Sequence, residues 1–401
     1  MNRQDNQSHQ ATHSTIYTPT LTMALPSTMK GLVLHEDDSI TFETSLPVPS
    51  PIHGSAIVKV LANQANPNFF NMIRGQSGAH PFTQPRPLVP GAACIARVAA
   101  VGPDAVSLKV GQLVAIDNFI RARDDPNVNI LWTMSDGQTE ESKKLHRDVW
   151  RDGTLAEYAR APLENLYPLD EETLCGPESE GGLGYSIEDL LHIIPHSVPF
   201  GGLRSIHLEP GETLVVTPAT GLFSGATVST ALAMGAKVIA VSRSSSGLEK
   251  LKANFPSVRT VVATGDVKAD TAAILAASGK NAPDACMEIG PPASTGSTIV
   301  TSCMLSIKSY GRIVLMGGRG DTNLPFPWPQ LLFRNLTVKG GFMYQREDVQ
   351  KMIKLAETGQ LKVGKKNGFE IVSSFSYEDW DKCGDAAVEH TAFGKMVVLK
   401  P

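Results

Sequence analysis

Thr213-Leu-Val-Val-Thr217 is a short apolar run that leads into a turn of small residues, Pro218-Ala-Thr-Gly-Leu-Phe-Ser-Gly225. A helical stretch, Ala226–Met234, follows; Gly235 stands where a helix-ending glycine belongs, and a second apolar strand, Lys237–Val241, comes next. Such a turn lets backbone N–H groups approach a pyrophosphate, which then lies at the positive end of the helix dipole. The candidate contacts are Ala219, Thr220, Gly221, Leu222, Phe223, Ser224 and Gly225. The spacing is an irregular form of G-x-G-x-x-G, because only Gly221 and Gly225 are glycines and Ser224 takes the last glycine's place. Strand before, helix after and second strand beyond supply the context that this motif requires. A dinucleotide ligand is expected.

The second strand ends in Ser242-Arg243-Ser244-Ser245-Ser246. An acidic residue about 20 residues after the glycines would hold the adenosine ribose of NAD. Ser242 occupies that position, with Arg243 and Ser244 beside it. A guanidinium and hydroxyls can take a 2′-phosphate through charge-assisted hydrogen bonds, whereas a carboxylate would repel it. NADPH is therefore expected over NADH.

A chain of 401 residues needs more than one core to position such a site. At 42% hydrophobic and 19% charged, with 35 Gly and 27 Pro, it has the composition of a globular protein. A net charge of −4 leaves no basic footprint for nucleic acid or a membrane surface, and no apolar run is long enough to span a bilayer. Cys94, Cys175, Cys286, Cys303 and Cys383 form no C-x-x-C pair, which fits buried small hydrophobes in a reducing compartment. Residues 1–28 lack a signal peptide's apolar stretch and read as a disordered tail, so the expected location is cytoplasmic.

From Met29 the texture is all β: Lys30–Leu34, Ile57–Leu61, Ala92–Val101, Val110–Ile116 and Thr154–Ala161 read as strands. Residues 119–153 break the rhythm and look like an inserted surface lobe. Beyond the Gly-rich stretch 175–186, strands at Thr213–Thr217, Lys237–Val241, Thr260–Val262, Ala285–Ile289 and Arg312–Met316 alternate with helical stretches. That alternation implies a parallel sheet covered on both faces, hence an α/β fold. The last sixty residues carry a helix, Glu347–Thr358, and short strands ending in Met396–Leu399.

The ordered set of motifs resembles the medium-chain dehydrogenase/reductase superfamily from Met29 to Pro401. Before the dinucleotide unit come Val58-Lys-Val-Leu-Ala-Asn-Gln-Ala-Asn-Pro67, Val89-Pro-Gly-Ala-Ala-Cys94, Gly111-Gln-Leu-Val-Ala115 and Gly153-Thr-Leu-Ala-Glu-Tyr158; after it come Arg312-Ile-Val-Leu-Met-Gly-Gly318, Asn335-Leu-Thr-Val-Lys-Gly-Gly-Phe342 and Ala392-Phe-Gly-Lys-Met-Val397. The resemblance implies a GroES-like β domain plus a Rossmann doubly wound parallel sheet domain, with the active-site cleft between them. It divides the chain into a GroES-like catalytic domain at 29–175, with its insertion at 119–153, and a Rossmann domain at 176–341. Residues 342–401 then complete the catalytic domain. It also favours a homodimer joined along the Rossmann sheet edge.

Zinc-dependent members carry a catalytic Cys, a His-Glu pair and a four-cysteine lobe. The matching positions here are Asn66, Ala92 and Ala93, and residues 119–153 contain no cysteine. Asn and Ala cannot ligate zinc, so no metal is expected. Asn66-Pro67 and Pro90-Gly91 look like the zinc-independent quinone oxidoreductase and enone reductase branch. Zinc lowers the pKa of a bound oxygen acid from about 15.7 to about 7. Its loss forfeits on the order of 12 kcal/mol of help with alkoxide formation. A conjugated acceptor avoids that problem, since its charge spreads over an enolate or hydroquinone that a few hydrogen-bond donors stabilise.

Asn66 is either a carbonyl-polarising donor or a loop Asn before Pro67. The resemblance brings His196 and Tyr344 near the cleft as candidate catalytic groups, each with core packing as the alternative. Gly317 and Gly318 would admit the nicotinamide, and Lys395 would either reach the cofactor phosphates or stay solvated. Related enoyl reductases place a Tyr where this chain has Ser77, which argues against a fatty-enoyl reductase role. The expected function is hydride transfer from NADPH to an enone or quinone of a small-molecule substrate. The alternatives are a metal-free carbonyl reductase or alcohol dehydrogenase, and a non-catalytic dinucleotide-binding protein.

Overall fold

The computed structural model describes residues 25–73, 83–321, 323 and 325–401. Strand β1 (Thr28–Leu34) pairs antiparallel with β2 (Ile40–Pro47), so ordered chain starts inside the stretch expected to be a tail; residues 1–24 lie outside the described residues. The next strands are β3 (Ser55–Gln64), β4 (Cys94–Val101), β5 (Leu113–Ile116), β6 (Phe119–Arg121) and β7 (Asn129–Leu131). They are followed by β8 (Tyr158–Pro162) and β9 (Leu166–Pro168). The chain's last strands, β16 (Glu370–Ser376) and β17 (Lys395–Lys400), join this group in one sheet of order β16-β17-β3-β4-β5-β9, with β8 also on β3. β-branched and small apolar residues face each other across it: Ala56, Val58 and Val60 pack with Cys94, Ala96 and Val98, all buried.

The 119–153 stretch is not a surface lobe. It forms the β6–β7 hairpin and the short helix Glu140–Lys144, and it buries Ile120, Ile130, Trp132 and Trp150 against the β3–β4 core. These apolar residues follow neither a two- nor a 3.6-residue period, which is why they read as surface.

The second sheet is wholly parallel. It comprises β10 (Thr213–Thr217), β11 (Lys237–Ser242), β12 (Arg259–Val262), β13 (Ala285–Glu288), β14 (Arg312–Leu315) and β15 (Thr337–Gly340), in the order β12-β11-β10-β13-β14-β15. The order reverses between β10 and β13, which opens a crevice at their carboxyl ends where ligands of such sheets bind. The chain therefore has a GroES-like β domain plus a Rossmann domain, an α/β fold. Among the described residues no helix is long and apolar enough to cross a membrane. All five cysteines are free, and Cys94, Cys286, Cys303 and Cys383 are buried.

A buried polar knot joins β5, β9 and the 342–346 stretch. Asp117 accepts hydrogen bonds from Asn165 Nδ2, from the Tyr167 hydroxyl at 3.1 Å and from Tyr344. The Arg121 guanidinium, half-buried, lies 4.2 Å from the centre of the Phe119 ring and donates to the Tyr344 carbonyl. Burial lifts the Asp117 carboxyl from 3.8 to about 6, against the lowering effect of its donors and of Arg121. A carboxyl raised in the folded state stabilises fully below its unfolded pKa and loses that contribution as pH rises through about 6. The expected step is on the order of 3 kcal/mol. Denaturant unfolding of the native chain should show this decline between pH 4 and 6.5 and Asp117→Asn should not; parallel curves for the two proteins would refute the assignment.

Candidate active site

The dinucleotide turn sits at the carboxyl end of β10, at the switch point. Gly221 begins the helix Leu222–Ala233, whose N-cap carries no side-chain hydrogen bond to the first turn. The N–H groups of that turn are left for an anion, as a pyrophosphate site requires. Ser224 is buried, and its Oγ accepts the Gly221 N–H at 2.9 Å, so the serine closes the turn as well as packing small. Ala219 N–H donates to Val241 at 2.9 Å and pins the turn to the neighbouring strand.

Gly225 has a different task from the one its spacing suggests. A Cβ there would come 2.0 Å from Phe393 Cδ2. The Phe393 N–H also donates to the Thr220 carbonyl at 2.9 Å, and Gly221 bridges to Ala392. The C-terminal segment therefore lies directly on the turn, and Lys395, the first residue of β17, follows two positions later.

At the adenosine end, Ser242 is buried and its hydroxyl meets Thr220 Oγ1 at 2.9 Å, tying the two halves of the crevice together. Arg243, Ser244, Ser245 and Ser246 are exposed at the start of the helix Ser245–Asn254. Ser244 caps that helix, accepting from Gly247 N–H at 3.1 Å. A guanidinium, hydroxyls and a helix N-terminus share one site, a donor set that fits a phosphate.

Across the crevice, β13 ends in Glu288, which sequence reading missed. Its buried carboxylate accepts Gly290 N–H at 2.9 Å and Gly317 N–H at 3.1 Å, clamping two turns together. Burial raises its pKa, and these N–H groups with Arg319 oppose the rise. A Cβ on Gly317 would come 2.5 Å from Glu288 Oε2, so that glycine serves the clamp. Gly318 faces open space and is the one of the pair that could admit a ligand.

Asn66, Ala92 and Ala93 do come together. They line a cavity of about 30 Å³ with Asn63, Gln64, Asn118, Thr133, Met134 and Leu399, among others. Asn66 Oδ1 accepts Asn68 N–H at 2.8 Å, which fixes the amide, and its Nδ2 points at Met134 Sδ, 3.6 Å away. The Oδ1 end thus serves the loop, while the Nδ2 end is turned toward the cavity. Asn118 Nδ2 meets the same sulfur at 3.7 Å. Among the described residues the lining offers amides, a hydroxyl and a thioether but no His, Cys or carboxylate, a donor set that does not fit zinc. Among the described residues no group of three or more such ligands could hold a metal. Leu399 connects the two sites: it lies in β17, six residues and at most roughly 20 Å of extended chain beyond Phe393.

Two expected catalytic groups lie elsewhere. His196 is wholly buried in the helix Ile193–Ser205, where its ring meets the His192 carbonyl, Ser229 Oγ at 3.0 Å and Asn367 at 3.3 Å. Burial holds it neutral, with a pKa lowered to about 4. Tyr344 is a core residue bound to Asp117 and packed edge-on against Phe119. Both were placed by resemblance, and in each the core packing that competed with catalysis has won. Beside it, Phe342 is exposed, with its ring edge-on to Phe119. Ser77 lies outside the described residues. A larger cavity, about 360 Å³, opens between the β1–β2 hairpin and Trp150–Gly153 and contains none of the expected residues.

Two family models match the chain: an alcohol dehydrogenase GroES-like domain over residues 53–171 and a zinc-binding dehydrogenase domain over 224–358. Sorbitol dehydrogenase of Bacillus subtilis is 23% identical over 335 residues, covering 81% of this chain and 85% of the relative. A probable D-xylulose reductase A of Aspergillus terreus is 27% identical over 290 residues, covering 70% and 74%. Among solved structures, AibC superposes with a TM-score of 0.71 at 19% identity, covering 99% of each chain. An alcohol dehydrogenase of Escherichia coli complexed with NADH gives a TM-score of 0.71 at 17% identity, covering 94% of this chain and all of that one. At such identities the superpositions establish the fold.

The seating of Phe393 on Gly225 generates a paired test. Gly225→Ala should weaken dinucleotide binding in a fluorescence titration and cost about 1–3 kcal/mol of stability by overpacking. Phe393→Ala in the same chain should restore much of both, because the added methyl then has room. Equal losses with and without Phe393 would contradict the contact.

Proposed function

We propose that this chain, a member of the medium-chain dehydrogenase/reductase superfamily, reduces conjugated carbonyl compounds, enones or quinones, with NADPH and without a metal. The observation that carries this reading is the uncharged, amide-lined pocket formed where Asn66, Ala92 and Ala93 converge. Bound in the switch-point crevice, NADPH would supply a hydride. The first-turn N–H groups from Leu222 onward would hold its pyrophosphate. Arg243 and Ser244 would take the 2′-phosphate, with Ser242 positioning them. Gly318 and Lys395 would border the rest. In this reading 29–175 with 342–401 is the catalytic unit and 176–341 the nucleotide unit.

Hydride delivered to a conjugated carbon leaves negative charge on the acceptor's oxygen, and a neutral N–H donor such as Asn66 Nδ2 can stabilise it. Among the described residues no acid lines the pocket, which leaves water as the proton source in this reading. A second reading, reduction of an isolated ketone, is favoured by the names of the relatives, a sorbitol dehydrogenase and a D-xylulose reductase. That chemistry would need a device for alkoxide charge that these lining residues do not offer.

The test is consumption of NADPH and NADH with cyclohex-2-enone, benzoquinone, D-xylulose and D-fructose. Turnover is expected with the first two, and Arg243→Ala should reduce the preference for NADPH about 10- to 100-fold. Turnover of the ketoses alone, or NADPH binding without any turnover, would sink the reading.

The edge strand β15 is flanked by exposed Trp328, Leu332 and Phe333 on the short helix before it. An apolar edge of this kind is suited to a second copy of the chain. Sedimentation velocity should give the mass of two chains, and Phe333→Glu should halve it; a native mass of one chain would rule the dimer out.

A further inference from the structure

We propose that the amides of Asn66 and Asn118 form a two-donor site for the oxygen of a neutral carbonyl substrate, and that the Met134 thioether plugs this site until substrate displaces it. The inference rests on the reading that the pocket around Asn66 receives the hydride acceptor. Its basis is that two side-chain N–H donors from separate loops converge on one atom: Asn66 Nδ2 lies 3.6 Å and Asn118 Nδ2 3.7 Å from Met134 Sδ. Asn66 follows β3, whereas Asn118 lies in the turn between β5 and β6, where its carbonyl is pinned by Trp132 N–H at 2.8 Å.

A thioether sulfur is a weak acceptor, while a carbonyl oxygen has two lone pairs and can accept from both amides. The sulfur is thus a poor occupant of a place built for oxygen. The pairing strengthens as negative charge develops on that oxygen, which is the condition for accelerating the reaction. A third observation points into the same cavity. Thr133 is wholly buried and lines it, and its hydroxyl has no hydrogen-bond partner among the described residues. An orphaned buried hydroxyl calls for a partner from outside the chain. The Thr133 backbone is left-handed, with φ of 55°, a costly conformation for a β-branched residue. It holds Thr133 and Met134 at the pocket.

The cavity remaining beside the sulfur is about 30 Å³, room for about one water and too small for an enone. Met has three rotatable side-chain bonds and no branch, so it can vacate the site without moving the backbone. Among the described residues no charged side chain lines the pocket, which favours neutral carbonyl compounds over carboxylates and phosphates.

The test uses the whole enzyme with NADP+, which permits binding without turnover, and carbonyl-labelled cyclohex-2-enone as the probe. Infrared difference spectra should show the bound carbonyl stretch at lower wavenumber than in water. Asn118→Ala should return part of that shift, and in steady state should lower kcat about 100-fold with little change in the KM for NADPH. Met134→Ala removes the plug while keeping both amides, and should lower the KM for the enone several-fold. Met134→Leu keeps the volume but removes the acceptor, and should fall between. An unshifted carbonyl stretch, no binding of the probe, or a Met134→Ala enzyme with a raised KM would overturn the proposal. A shifted stretch that responds to Asn118→Ala in an enzyme that reduces no enone would instead uphold the oxygen site and overturn only the proposed reaction.

Discussion

One six-residue strand holds the two halves of the site in register. β17 pairs with β3 at Gln64 and Asn63, two and three residues before Asn66, and its Leu399 lines the pocket. Just ahead of it, Phe393 lies against Gly225 and bonds to Thr220, on the turn that begins the dinucleotide helix. Hydride transfer demands that donor and acceptor be fixed to within fractions of an ångström. A segment tied at one end to the cofactor turn and at the other to the pocket wall sets that separation through backbone hydrogen bonds, which deform little.

Around that tie, the donors among the described residues are backbone N–H groups, amides, hydroxyls and the Arg243 guanidinium. The crevice offers unpaired N–H groups at one helix start and an exposed Arg243 at another, suited to phosphates. The pocket offers amides and a hydroxyl, suited to an oxygen that is neutral before reaction and partly charged during it. Glu288 is the exception in the interior. Its carboxylate is stabilised by two backbone N–H groups, and its place is structural, holding the turns that face the β10 turn. A buried carboxylate satisfied in this way fixes the geometry of both turns.

Much of this was legible in the sequence. Thr213–Thr217 was read to the residue, and Lys237–Val241, Ala285–Ile289 and Arg312–Met316 each end within one residue of the observed strand. Such strands are buried on both faces and bounded by glycine or proline, so their apolar runs are self-announcing. The convergence of Asn66, Ala92 and Ala93 was legible because the motifs carrying them are ordered along the chain. Asn118, Thr133 and Met134 were not, since nothing in their local pattern marks a pocket. Their stretch has no period, and its burial depends on Trp132 and Trp150 reaching a core made elsewhere. The helix Ile193–Ser205 was hidden by Pro195 and Pro199, which oppose a helix on propensity but sit inside one buried on most sides. Without that helix the sequence leaves His196 open between the cleft and the core, and the helix places it in the core. Gly225 shows the converse: its type was read correctly while its reason, Phe393, lay 168 positions away.

In the proposed reaction, hydride goes to a carbon conjugated with a carbonyl whose oxygen the amides hold. The most direct measurement is the position of the label after turnover of cyclohex-2-enone with NADPH carrying deuterium at the transferred position. Deuterium is expected at the carbon β to a retained carbonyl, with cyclohexanone as product. Deuterium on the carbon bearing a new hydroxyl, with the C=C bond intact, would contradict it.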